Sequence, residues 1–375
     1  MVEHAGGKLL GKGSFGCVFN PPFVGKSGIT YINRIMFDTH AEAGNLVGKL
    51  LTIANGKNEL KEYMHLRKRL DPDMSFSIQP LGFVTLTRKD IEAHDEPGKR
   101  ACDHLEFHKP MIQIYYADGG PDLRRYMSGT DPEGGALFVD KILTASLPIW
   151  KGIRRMQIHG SAHTDITGAN VVYDNKRNIM RLIDFGLLQT SRMKLIGVFQ
   201  EAHILAWLYD TWPIELQIMS YITYGRQFGA GYMTEEEAIT HTVDLYTNSL
   251  LIPNRSSKDV AKRHIVALFD APNDFITRFW DNLPRIDECS FALVIGMLLK
   301  RVINKAKEGI PMANISERHR ACVDKAIGTI TKMCNITYFM SPDSLLNTLI
   351  EEISLLQQPL RTRVAKSALS YVSKC

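Results

Sequence analysis

Clustered cysteines are missing from this sequence. Its six cysteines, Cys17, Cys102, Cys289, Cys322, Cys334 and Cys375, are scattered and form no Cys-x-x-Cys pair. That pattern argues against a zinc site or a disulfide framework and reads as free thiols in a reducing compartment. A long apolar run is missing too. FALVIGMLL at 291–299 is far short of the roughly 20 residues that a membrane span needs. The N-terminal MVEHAGGKLL lacks the basic-then-apolar pattern of a secretion signal. Neither sign of charge dominates: 45 Lys and Arg face 40 Asp and Glu over 375 residues, a formal +5 that is too mild to argue for nucleic-acid binding. No internal repeat or low-complexity segment is present. The expectation is an intracellular, cytoplasmic protein with no membrane or nucleic-acid partner.

What is present is an ordered change of pattern. KLLGKGSFGCVF at 8–19 places Gly11, Gly13 and Gly16 between β-prone ends and reads as a hairpin with a glycine-rich tip. NPPFVGKSG at 20–28 reads as a loop, because neighbouring prolines cannot serve a central strand. NLVGKLLTI at 45–53 is an apolar run around Lys49, consistent with a buried strand. NELKEYMHLRKRL at 58–70 has helical spacing, stopped by Asp71-Pro72. Strand-like runs follow at 76–87 and 111–116, and 117–127 turns from strand through loop to helix. Helical stretches then recur near 137–158, 199–222, 257–269, 289–307, 318–334 and 343–356. A strand-rich first third with one helix, followed by a helical remainder, predicts an α+β class rather than βαβ alternation.

The chemistry concentrates in HTDITGANVVYDNKRNIMRLIDFG at 163–186, where a β-hairpin separates two aspartates and an asparagine. His163, Asp165, Asn170 and the Asp184-Phe185-Gly186 run match the order H-x-D-x-x-x-x-N…D-F-G, in which phosphoryl transfer uses one carboxylate to position a hydroxyl and two oxygen donors to hold metal. Any one of these residues alone is most simply a loop-capping side chain. Gly11-x-Gly13-x-x-Gly16 alone is weak. It continues as strand at Cys17-Val18-Phe19, so it lacks the helix of a dinucleotide fold, and it suits backbone N–H groups lying close over phosphates. Lys49 on an apolar strand needs an anionic partner, and the helix after it offers Glu62 and Glu59. Lys26 competes with Lys49 but has no following helix.

With these motifs in order, the chain resembles the protein kinase superfamily, in a style similar to serine/threonine protein kinases of large double-stranded DNA viruses, over roughly residues 8–300. The resemblance implies a two-lobed fold: residues 1–116 as a strand-rich small lobe and 117–375 as a helical large lobe, with an insertion about 217–286. It implies transfer of the ATP γ-phosphate, with Mg²⁺, to Ser or Thr hydroxyls of protein substrates. Asp165 would be the base, Asn170 and Asp184 the metal ligands, and Lys49 the phosphate contact. Leu10, Gly11, Gly13, Gly16, Val18, Tyr115 and Ala117 would surround the nucleotide, with Ile114 as gatekeeper. Glu62, with Glu59 as fallback, would pair with Lys49. Glu215 in WPIEL would anchor the end of the activation segment, and Asp287 in DECSFALVIGMLL would fix the catalytic loop from behind.

The sequence also departs from the family pattern. Thr164 replaces the Arg that usually precedes the catalytic Asp, which implies little dependence on loop phosphorylation although Thr190, Ser191 and Thr211 remain nominal acceptors. Thr167 replaces a Lys. No Arg near Ser344 is placed to pair with Glu215, leaving Arg361 or Arg363. Two alternatives stay open: a pseudokinase interaction module, and a small-molecule phosphotransferase of the aminoglycoside or choline kinase type.

Overall fold

The computed structural model describes residues 7–13, 16–23, 28–92, 102, 105–128, 138–190, 215, 218, 234–249, 255–270, 278, 281–282, 285–307, 317–335, 338, 341 and 344–357. It is a mixed α+β chain, with an antiparallel sheet built from the N-terminal third and helices beyond it. Strands β1 (Lys8–Lys12), β2 (Gly16–Asn20), β3 (Thr30–Tyr31), β4 (Leu46–Thr52), β5 (Gly82–Leu86) and β6 (Met111–Ala117) pair in the order β1-β2-β4-β6-β5-β3. A separate hairpin pairs β7 (Val171–Asp174) with β8 (Ile179–Leu182). Among the described residues no helix is long and apolar enough to cross a membrane.

The two faces of the sheet bury different things. One lies under α1 (Arg34–Glu42), a helix not expected from the sequence, which Asn33 caps by accepting the Met36 N–H at 3.2 Å. Here Phe37 packs edge-on to Tyr115 at 5.2 Å, in a cluster with Cys17, Phe19, Leu50 and Cys102. Cys17 and Cys102 form a disulfide 85 residues apart in sequence. The free-thiol expectation is therefore corrected for this pair, whose juxtaposition arises from the fold and not from any local spacing. Cys289, Cys322 and Cys334 are free thiols; Cys375 lies outside the described residues.

The other face packs against α2 (Ile53–His65) and joins the main core. Thr52 caps α2, which starts five residues earlier than its apolar spacing suggested and ends in a π-turn at Leu66–Leu70. Gly56 lets this helix press on β6, since a Cβ there would lie 2.0 Å from Ile112 Cγ2. The loop after the π-turn is held by Asp71. This fully buried carboxylate accepts the N–H groups of Ser75, Phe76 and Ser77 and both serine hydroxyls, at 2.6–3.2 Å. The same loop then exchanges bonds with β8, Ile78 N to Leu182 O at 3.0 Å and Leu182 N to Phe76 O at 2.8 Å. Residues 76–78 are thus engaged elsewhere, and the strand expected from 76 begins only at Gly82.

Helices α3 (Arg88–Glu92), α4 (Leu123–Ser128), α5 (Val139–Ile158), α6 (Glu235–Ser249), α7 (Arg255–Asp270), α8 (Ile286–Lys307), α9 (Glu317–Met333) and α10 (Leu346–Leu356) complete the described elements. Helices α5 and α8 meet through the fully buried Trp150 and Phe291, whose ring centroids are 4.5 Å apart. Burying side chains of this size contributes about 1.5–3 kcal/mol each. Helix α8 thereby presents its first turn to the loop that follows α5. Of the helix expected near 199–222, only residues 215 and 218 are described.

Candidate functional site

The loop between α5 and β7 carries Asp165, and its shape is fixed from behind. Asp287, in the first turn of α8 and buried, accepts the His163 N–H at 2.6 Å and the Thr164 N–H at 2.8 Å. His163, also buried, meets the Ile183 carbonyl through Nε2 at 3.1 Å and packs at a tilt against Phe185, 4.6 Å between centroids. Thr164 takes a positive φ of 66°, and its hydroxyl donates to the Leu187 carbonyl at 2.9 Å. Positive φ is rare for a β-branched residue and marks a conformation imposed by its surroundings. Thr164 thus makes a short neutral tie to the segment after Phe185. Paired bonds between Ala162 and Gln189, at 2.9 and 2.8 Å, extend that tie along the segment after Gly186.

The β7–β8 hairpin brings its two ends together. Ile183 N donates to Asn170 O at 3.0 Å, so Asn170 and the neighbour of Asp184 are hydrogen-bonded. The Asn170 amide nitrogen donates to Asp165, at 2.8 Å to Oδ2 and 2.9 Å to the carbonyl. Asn170 and Asp184 thus carry hard oxygen donors at the joined ends of the hairpin. Among the described residues no group of three or more His, Cys, Asp or Glu is arranged to hold a metal ion. An oxygen pair of this kind fits Mg²⁺, which is usually held by one or two protein ligands with substrate phosphates and water completing its shell.

From the sheet, Lys49 on β4 reaches across to this hairpin. Its Nζ lies 2.7 Å from Glu59 Oε2 and 3.6 Å from Asp184 Oδ1. The partner is thus Glu59, correcting the expectation of Glu62. Helix α2 turns Gly56, Glu59 and Tyr63 inward at spacings of three and four, with Gly56 setting the close approach. Glu62 stands beside this face, half-buried. Tyr116 completes the cluster, donating its hydroxyl to Glu59 Oε1 at 2.5 Å. Tyr63 packs on Phe185 at 5.6 Å and on Tyr116 at 5.8 Å, linking α2 to the Asp184-Phe185-Gly186 run.

The glycines of the β1–β2 hairpin have different surroundings. Gly16 is required by packing, since a Cβ there would sit 2.5 Å from the Leu50 carbonyl oxygen. Gly11 lies on exposed strand, where a Cβ would meet no atom within 4 Å, and the register is irregular between Leu9 and Gly11. Gly13 N donates to Gly16 O at 2.9 Å. Leu10 and Val18 are half-buried against the same apolar cluster as Val47, Tyr116 and Val172. Arg125 on α4 donates to the Leu10 carbonyl at 3.0 Å and pins the first strand.

Crowded carboxylates dominate the electrostatics. Burial pushes Asp165 up to about 7, helped by the Asp184 charge and opposed by the Asn170 hydrogen bond. Glu62 is also pushed up to about 7, by burial and by Glu59 and Asp184. Burial raises Asp287 to about 6 despite its two backbone donors, and lowers His163 to about 4, keeping the imidazole neutral. Burial alone would lower Lys49, but Asp184 and Glu59 outweigh it and hold the ammonium above its ordinary value.

The Tyr115 backbone, expected at the nucleotide, is engaged elsewhere: Tyr115 lies on the sheet face away from Lys49, against Phe37, and its carbonyl accepts the Leu81 N–H at 2.8 Å. Glu215 is buried and meets His264 of α7 at 3.4 Å, and Ser344 hydrogen-bonds Glu288. Lys26, Ser191, Thr211, Arg361 and Arg363 lie outside the described residues. Tyr116 and His264 escape sequence reasoning because their partners lie 57 and 49 residues away. Asp71 escapes it because its role depends on local backbone shape, although the short polar stretch after Leu70 is a usable sign. Compared with known proteins, the chain matches no protein-family model and no characterised protein.

Proposed function

We propose that this chain is an ATP-dependent protein kinase of two-lobed architecture, transferring the γ-phosphate to Ser or Thr hydroxyls. The observation that carries the reading is the meeting of sheet and hairpin: Lys49 contacts both Glu59 and Asp184, while Asn170 holds Asp165 on the far side of the same hairpin. In this reading Lys49, kept charged by its two carboxylates, orients the phosphates of the substrate nucleotide. Asp165, held by Asn170 and backed by the Asp287-bound loop, accepts the proton of the attacking hydroxyl. Its high proton affinity suits that task near neutral pH. Backbone N–H groups of the Gly11–Gly16 hairpin cover the phosphates and exclude water. Asn170 and Asp184 would hold Mg²⁺, which when bound neutralises charge on the phosphate oxygens. Thr164 and Ala162 tie the following segment through neutral groups, which supports little dependence on loop phosphorylation.

The test is transfer of label from γ-³²P-ATP with Mg²⁺ to the chain itself or to a protein mixture. Label entering protein on Ser or Thr is expected. Label entering only small alcohols, with none in protein, would overturn the protein-substrate reading, and ATP binding without any turnover would leave a pseudokinase.

A further inference from the structure

The bridge between Cys17 and Cys102 lies on a strand of the hairpin that the kinase reading lays over the phosphates. Cys17 follows Gly16 on β2 and pairs with Lys12 of β1 on one side and Leu50 of β4 on the other. Its neighbour Val18 pairs with Lys49. Side chains along a strand alternate between faces. Val18 is half-buried against the cluster that holds Val47 and Tyr116, while Cys17 and Phe19 are fully buried in the opposite cluster with Leu50 and Tyr115. The disulfide thus holds β2 from the outer face, one residue from the pair that Val18 makes with Lys49.

At its other end, Cys102 lies in the connection between α3 and β6 and begins a short turn. Leu105 N donates to Cys102 O at 3.3 Å, Phe107 N to Leu105 O at 3.1 Å and Lys109 N to Glu106 O at 2.9 Å. These bonds are internal to the turn. Leu105 and Phe107 join it to the sheet by apolar packing, and the sulfur bridge joins it covalently. Among the described residues this is the one disulfide, and Cys289 and Cys322 are free thiols. One bridge beside free thiols is the pattern of a pair that responds to thiol conditions, unlike the framework of a disulfide-built domain.

We propose that Cys17 and Cys102 form a thiol–disulfide switch that sets the grip of the glycine-rich hairpin, oxidised by low-molecular-weight disulfides and reduced by the matching thiols. With glutathione disulfide as oxidant, one cysteine sulfur attacks it and releases one glutathione. The second cysteine sulfur then attacks the mixed disulfide and releases the other. Two cysteine thiols are oxidised, one glutathione disulfide is reduced, and the two cysteine protons end on the two glutathiones. Both cysteines are fully buried, so exchange requires the turn at 102–107 to lift off the sheet. In the oxidised form the turn is stapled behind β2 and the hairpin is held in register beside Lys49. In the reduced form the staple is gone and the hairpin covers the nucleotide less tightly. The effect on ATP rests on the kinase reading; the bridge and its effect on stability do not.

The experiment uses the full chain equilibrated with glutathione disulfide or with dithiothreitol, and reads the bridge, the melting temperature and the ATP kinetics. Peptide mapping of the oxidised, alkylated protein should recover Cys17 joined to Cys102, and reduction should release both. Reduction should lower melting by about 5 °C or more, as loss of a long-range cross-link does. It should raise the KM for ATP by roughly threefold to tenfold, as loosening a pre-organised loop does, with kcat within about twofold because the groups around the transferred phosphate are untouched. Cys17→Ser and Cys102→Ser should show the reduced values under either condition, while Cys322→Ser should respond as the unaltered chain does. If a serine variant at 17 or 102 does not fold, the unaltered chain compared across the two conditions carries the test. A pair that stays unjoined in glutathione disulfide would overturn the switch, as would a joined pair that leaves the KM for ATP unchanged while ATP is bound and turned over. Absence of ATP binding in both forms would instead overturn the kinase reading, and with it the hairpin's task.

Discussion

The two halves of the candidate site are held by different means. On the hairpin side, short polar groups close in sequence hold one another: Asn170 grips Asp165, Thr164 grips Leu187, and only Asp287 comes from afar. On the sheet side, nearly every contact is long-range and set by packing. Gly56 against Ile112 fixes how near α2 comes, and strand register decides that Tyr116 reaches Glu59. Local polar loops can be read from a string of letters, whereas the second kind of site depends on which face of a helix or strand turns inward. The difference also separates two kinds of vulnerability, one to loss of a single acceptor and one to a shift in packing.

The strongest way to break the hairpin half is to remove its remote support. Asp287→Ala leaves two buried N–H groups without an acceptor, and unfolding free energy should fall by about 2–5 kcal/mol, read by denaturant melts, with transfer activity lost alongside. On the sheet half, Glu59→Gln should lower the transfer rate by about a hundredfold, and Glu62→Gln by less than about threefold, if the ion pair orients Lys49 for the transition state. Equal effects would return Glu62 to the partnership with Lys49.

Acid distinguishes the halves further. His163 stays neutral in the folded chain down to about 4, while an unfolded chain protonates it near 6.5. Its contribution is therefore fully present above pH 6.5 and is lost as pH falls toward 4, amounting to about 2–3 kcal/mol by pH 4.5. Asp165 and Asp287, raised to about 7 and about 6, act oppositely, since their folded forms take up protons first and gain stability as pH falls. The histidine contribution is thus read as a difference: His163→Phe should lose about 2–3 kcal/mol less than the unaltered protein between pH 7 and pH 4.5. The smallest expected effects come from the covering hairpin. Gly16→Ala should cost about 1–3 kcal/mol by overpacking on Leu50, whereas Gly11→Ala should leave melting within about 0.5 kcal/mol and show itself only in ATP affinity.

Much of this arrangement is legible in the residues alone. The order of glycine-rich hairpin, Lys49 strand, Asp165–Asn170 loop, Asp184 and Asp287 helix follows from residue types at fixed spacing, because each needs a particular local backbone. Helices with clean periodicity, such as α7 and α9, lie within two residues of where that periodicity puts them. Glu59 is harder to see, because apolar spacing on α2 points to Leu60, Tyr63 and Met64, yet Met64 is exposed and the true contact is a glycine. The strand expected over 76–87 is too long because Asp71 and β8 claim its first three residues, a competition no local pattern reveals. The Cys17–Cys102 bond and the His264–Glu215 contact join residues 85 and 49 apart. They exist only once the sheet and the C-terminal helices are assembled.

In the proposed reaction Asp165 accepts the proton of a hydroxyl attacking ATP held between Lys49 and Asp184. Asp165→Asn keeps the shape of that side chain and removes its basicity. Transfer of γ-³²P from ATP with Mg²⁺ to protein should fall by about 10²–10⁴-fold, with ATP affinity retained. Undiminished labelling in that variant would mean that Asp165 does not take the proton.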